Sequence, residues 1–86
     1  MTWRFDVVAT VQERLLSRIL QVLEVQRVSI LSFNGEMSAM GARVTFAVFS
    51  EEDKAYRIEA LLYRLEGIDR VSVPSENESD DVSPWN

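Results

Sequence analysis

The spacing of apolar residues switches repeatedly between the period of a strand and that of a helix, and the order of those switches leaves few folds open. Trp3, Phe5, Val7 and Ala9 alternate with Arg4, Asp6, Val8 and Thr10, the two-residue repeat of a half-buried strand. Leu15, Leu16, Ile19, Leu20, Val22 and Leu23 then recur at helical spacing, with Arg14, Ser17, Arg18, Gln21 and Glu24 on the other face. Thr10 and Glu13 have the spacing of a capping box, which predicts that this helix begins directly after Thr10. Val28-Ser29-Ile30-Leu31-Ser32-Phe33 is β-branched or aromatic at most positions and reads as a second strand. Asn34 to Gly41 reads as its hairpin connection, and Ala42, Val44, Phe46 and Val48 alternate with Arg43, Thr45, Ala47 and Phe49 as a third strand.

Ser50-Glu51-Glu52-Asp53 repeats the capping signature, with acids suited to the positive end of a helix dipole. Ala55, Ile58, Leu61, Leu62 and Leu65 give the second helix its apolar stripe, Gly67 is placed to cap it, and Ile68 to Val73 form a short last strand ended by Pro74. Strand, helix, strand, strand, helix, strand with right-handed crossovers is the α+β, ferredoxin-like βαββαβ sandwich. It predicts a four-stranded antiparallel sheet with two helices on one face, over residues 1–74. Residues 75–86 are dominated by Ser, Asp, Glu, Asn and Pro and are expected to form a disordered acidic tail. Trp85, near the end of that tail, is either a docking motif for a partner or simply part of a disordered end.

Composition excludes several chemistries. The 86 residues contain neither cysteine nor histidine, which removes disulfides, thiolate metal sites and any Ser-His triad. The net charge is −5, and four of the acids, Glu76, Glu78, Asp80 and Asp81, lie in the tail. No basic face of the kind that binds nucleic acid is visible. No apolar run approaches the roughly 20 residues of a membrane span, and the first residues do not resemble a signal peptide, so a cytoplasmic protein is expected. Glu51-Glu52-Asp53 reads as helix capping rather than as a metal site, which would want a glycine turn among its oxygens.

At the level of segments, Leu15-Leu16-Ser17-Arg18-Ile19-Leu20-Gln21-Val22-Leu23 followed by Val28-Ser29-Ile30-Leu31-Ser32-Phe33-Asn34 resembles the first helix and second strand of the ACT domain. That family is a small regulatory module that binds amino acids and pairs with copies of itself. The resemblance spans residues 3–74, and the Ser-Arg pair with Ser32-Phe33-Asn34 is most similar to the short small subunits of acetolactate synthase. It implies a non-catalytic chain that forms a homodimer and activates a catalytic large subunit in branched-chain amino acid biosynthesis. The implied partner carries thiamine diphosphate, magnesium and usually FAD, and the resemblance implies no cofactor for this chain. Thr10, Val11, Gln12 and Ser29 occupy the places where the family's amino-acid effector sits. The family's loop acid and glycine align with Val11 and Arg14, and a second family glycine aligns with Arg27. These departures bear on effector binding and leave the fold intact.

Two other functions stay open on the residues. One is a stand-alone amino-acid sensor with its ligand at a dimer interface. The other is an acylphosphatase-like enzyme, which shares this fold but needs glycines in its phosphate loop, where this chain has Val11-Gln12-Glu13. Strand alternation predicts Val8, Leu31, Phe33, Ala47 and Phe49 on the open face of the sheet, an apolar set large enough for an interface. Arg18, Tyr56 and Tyr63 are further interface candidates on the helices. The second strand is expected at a sheet edge with few charges to blunt it, an invitation to pair with another chain.

Overall fold

A computed structural model describes residues 1–10 and 13–72, together with the backbone of 75–76. The chain runs β1 (Thr2–Ala9), α1 (Leu15–Val25), β2 (Ser29–Ser38), β3 (Gly41–Phe49), α2 (Glu52–Tyr63), β4 (Ile68–Val71) and β5 (Ser75–Glu76). The strands form one antiparallel sheet in the order β2-β3-β1-β4, and β5 pairs with β1 at Trp3 and Arg4. Both helices pack on one face, giving the ferredoxin-like sandwich. Neither helix is long and apolar enough to cross a membrane.

The alternating residues of the two central strands build the core. Trp3, Phe5, Val7 and Ala9 pair across the ladder with Val48, Phe46, Val44 and Ala42, and all eight are buried. Leu15, Ile19 and Leu23 of α1 and Ala55, Ile58 and Leu62 of α2 close over them. Burial of each large aliphatic side chain contributes about 1.5–3 kcal/mol before the entropy of ordering is subtracted. An aromatic row crosses three strands on this face: Phe5 stacks on Phe46 at 4.7 Å and Phe46 on Phe33 at 5.9 Å between ring centroids.

That row corrects the expected placement of Phe33. The β2–β3 register slips between Ile30 and Ser32, so Leu31 occupies a bulge and Phe33 pairs with Phe46 on the helix side. One extra residue in a strand exchanges the faces of everything beyond it. The open face therefore receives Ser32, Asn34 and Glu36, opposite Ala47, Thr45 and Arg43. Val8 pairs with Arg43 near one end of the sheet, Phe49 pairs with Thr2 at the other, and Ala47 is buried. No continuous apolar patch results.

Other boundaries also move. The β2–β3 connection is a two-residue turn at Ala39–Met40, because β2 continues to Ser38. Gly35 belongs to that strand: a Cβ there would lie 3.0 Å from Cδ2 of Leu16, so the glycine lets α1 approach β2 closely. Helix α1 starts at Leu15 with Arg14 as its N-cap, in left-handed backbone geometry and without a side-chain cap. The capping box at Thr10 is not used, and the Thr10 N–H instead donates to the Gly67 carbonyl at 2.8 Å. Helix α2 is preceded by Glu51 rather than Ser50, and its C-cap is Arg64 rather than Gly67. Gly67 has φ +92° in the turn that enters β4. Ser75 and Glu76, expected in the tail, extend the sheet; residues 77–86 lie outside the described residues.

Candidate functional site

Three of the four expected ligand positions fall between β1 and α1 in the sequence. Thr10 is exposed and tied to the α2–β4 turn by its bond to Gly67; Val11 and Gln12 lie outside the described residues. Arg14 sits at φ 69°, ψ 18°, and Arg27, just past α1, at φ 59°. Glycine adopts this conformation freely, whereas a residue with a Cβ pays roughly 1–2 kcal/mol. The backbone at both positions is thus of the kind that favours glycine, with arginine in its place.

Ser29, the fourth ligand position, is elsewhere. It pairs with Phe49, which pairs with Thr2, whereas Thr10 follows Ala9 at the other end of β1. Seven residues of strand separate the two ends, about 23 Å at 3.3 Å per residue. One chain does not bring Thr10 and Ser29 together.

The edge strand β2 gathers the exposed apolar residues instead. All of its ten residues except Phe33 are exposed. Ile30, Leu31 at 55% exposure and Phe49 at 56% cluster at one end by register, and Met37 and Met40 lie at the other. Glu36 is the one charge in the strand. A long, sparsely charged edge, interrupted by the bulge at Leu31, presents unpaired backbone donors and acceptors to a second strand.

The opposite edge is capped at one residue, Val71. The Val71 N–H donates to the Tyr63 hydroxyl at 3.2 Å, and that hydroxyl donates to the Val71 carbonyl at 2.9 Å. One side chain thereby satisfies both outward-facing groups of that residue. Tyr63, an interface candidate by sequence, keeps its ring about half exposed, but its polar end has this internal duty. Tyr56 meets Trp3 edge-on at 6.1 Å, while the Trp3 Nε1–H donates to the Ser50 carbonyl at 3.2 Å. Arg18 is exposed on α1 beside a groove between the helices. A lone sequence offers no signal for the Tyr63 bond, because it depends on how α2 returns over β4.

On the open face, Asp6 accepts two hydrogen bonds from Arg43, one from Nε at 3.0 Å. These bonds hold the Asp6 carboxyl below its ordinary value, against the opposing effect of burial and with further help from the charges of Arg43 and Arg70. Arg4, Asp6, Ser32, Asn34, Thr45 and Ser72 line a shallow polar concavity of about 240 Å³. Among the described residues no cluster of His, Cys, Asp and Glu is arranged to hold a metal. The acids Glu52 and Asp53 stand in the first turn of α2, where they favour the helix dipole.

The sequence matches no protein-family model and no curated protein. The fold, however, matches solved ACT domains. The ACT domain of a GTP pyrophosphokinase from Chlorobium tepidum superposes with a TM-score of 0.77 at 14% identity, over 84% of this chain and 95% of that one. The acetolactate synthase small subunit of Thermotoga maritima gives 0.76 at 12% identity, over 93% of this chain and 50% of that one. The regulatory subunit of aspartate kinase from Thermus thermophilus gives 0.59 at 13% identity, over 83% of this chain and 50% of that one. This chain thus spans about half the length of the last two, and at these identities the likeness is one of fold: the chain has the fold of an ACT domain.

Proposed function

We propose that this chain is a non-catalytic regulatory domain that pairs with a second copy through β2 and acts on a catalytic partner. In its specific form, it is a small subunit that binds and activates an acetolactate synthase catalytic subunit in branched-chain amino acid biosynthesis. The observation that carries the pairing is the contrast of a ten-residue exposed strand at the β2 edge with a four-residue β4 that Tyr63 caps at Val71. The likeness to the Thermotoga small subunit supports the choice of partner. Activation then requires that the pair bind the active arrangement of the catalytic subunit more tightly than the inactive one.

A stand-alone amino-acid-sensing homodimer is the second reading, and the register favours it in one respect. An antiparallel two-fold pairing of β2 with its copy brings Ser29 of the second copy to the end of the sheet where Thr10 lies. Three strand spacings, about 14 Å, then separate them laterally. An effector would enter beside Arg14, where the side chain takes room that a glycine would leave to the ligand.

Two measurements test this. Light scattering of the full chain should give the mass of a dimer, and the double substitution Leu31→Lys, Met37→Lys should give monomers that still melt cooperatively. An unchanged dimer in that variant overturns the edge assignment. Affinity capture from the native host should recover a large thiamine-diphosphate enzyme at near-equal amount. Recovery of its own copies alone, with a melting temperature raised by millimolar branched-chain amino acids, would replace the subunit reading with the sensor.

A further inference from the structure

Away from the β2 edge, α1 and α2 leave an apolar groove between their outer surfaces. Val22, Val25, Leu61 and Leu65 line it, with Arg18 and Gln21 at its rim. Its volume of about 420 Å³ lies within the range of sites that hold a ligand or an anchoring side chain. Val25 is 67% exposed, although it lies within one helical turn of the buried Leu23 and the partly buried Val22.

Beyond Arg18, three further exposed arginines lie one helical turn from lining residues. Arg14 precedes Arg18 by one turn on α1, and Arg57 and Arg64 stand one turn on either side of Leu61 on α2. All four are exposed, and among the described residues none has an ion pair. An apolar slot with Arg18 at its rim and three more exposed arginines one turn from its lining suits an acidic segment that carries a large apolar anchor.

The chain itself contains such a segment. Glu76, Glu78, Asp80 and Asp81 are followed by Val82 and, within Ser83-Pro84-Trp85-Asn86, by an aromatic residue. Its point of departure is fixed, because Glu76 pairs with Trp3 in the β5–β1 ladder and the Trp3 ring meets Tyr56 of α2. Nine residues from Glu76 to Trp85 reach up to about 30 Å, enough to cross α2 in a body measuring 34 × 27 × 18 Å. We propose that residues 77–86 of the same chain fold back over α2 and seat Trp85 in the α1–α2 groove, with the acids facing the four arginines. Charge holds the segment near the helices, and the indole, which buries about 150–250 Å² when enclosed, sets where it stops.

The absence of native cysteine allows a single label in the full chain. A nitroxide on Ser83→Cys should selectively broaden the methyl resonances of Val22, Val25, Leu61 and Leu65 at about 20 mM salt, and lose most of that effect at about 500 mM, where screening is short-ranged. Val8, on the open face, should keep its intensity at both. The pair Arg57→Glu, Arg64→Glu and, separately, Trp85→Ala should abolish the selective broadening while leaving the melting transition in place, since these changes are outside the core. Broadening spread evenly over both faces, or selective broadening that survives Trp85→Ala, overturns the proposal. So does broadening seen only between separately labelled chains in a mixture, which would make a second copy the occupant.

Discussion

The two edges of the sheet differ in who satisfies the backbone. At β4 the Tyr63 hydroxyl answers both free groups of Val71, and β5 takes over the pairing with β1 where β4 ends. At β2 alternate residues along a ten-residue strand present their backbone groups outward with one charge in the strand, yet it is held to the body by Phe33 in the aromatic row and by Leu16 over Gly35. One edge is thus short and capped at Val71 from within the chain. The other is anchored on its inner side and left unfinished on its outer side, the combination expected of a strand that meets another chain without peeling away.

Four changes would break or sharpen this contrast. Phe33→Ala removes the anchor of the open edge and should cost about 3 kcal/mol, read as a drop in the denaturation midpoint, with protection of the β2 amides from hydrogen exchange lost before that of β1. Tyr63→Phe leaves the ring but strips the capped edge of its hydroxyl, at about 1–3 kcal/mol. Its diagnostic is accelerated exchange at the Val71 amide and a new tendency to associate through β4, measured by light scattering. Arg27→Gly relieves a left-handed residue and should stabilise by about 0.5–1 kcal/mol after the extra chain entropy of glycine is subtracted. A destabilised Arg27→Gly protein would mean that the arginine side chain contributes more than its backbone costs.

The smallest effect concerns the open face between the two edges. Asp6 has its carboxyl value lowered by Arg43, so the pair stabilises the folded chain above the unfolded carboxylate range, and that contribution fades as pH falls through the folded value. Because both partners are substantially exposed, Asp6→Asn should lower stability only slightly at neutral pH. The difference between the two proteins should vanish in acid; a gap that persists there would assign the effect to packing.

How far these features were legible depends on whether they are local. The strict alternation of Trp3 to Ala9 and of Ala42 to Phe49 specified both central strands and their buried faces, because a sheet covered on one side demands that pattern. The run from Val28 to Phe33 has no such alternation, and nothing local marks Leu31 as the extra residue, so alternation alone puts Phe33 on the wrong face. The concentration of apolar residues near β2 was legible, but its location at the edge rather than over the open face required the register. Likewise, Thr10 and Ser29 looked like one site while the sheet set them at opposite ends. Arg14 and Arg27 were visible as substitutions for glycine, though their backbone geometry was not. The duty of Tyr63 was invisible, since its partner is a backbone brought near by tertiary folding.

The arginines that bracket α1 have a consequence for how that helix is delimited. Locally, Thr10 and Glu13 invite the chain to begin a helix early, and Arg27 is a good helix former that gives no reason to stop. The folded protein overrides both preferences and turns the backbone left-handed just before Leu15 and just after Gln26. Neighbouring-residue preference and global packing are therefore frustrated at each end of α1. Freed from the sheet, the same stretch would let its helix spread outward at both ends, and in the intact molecule it is the sheet that sets its length.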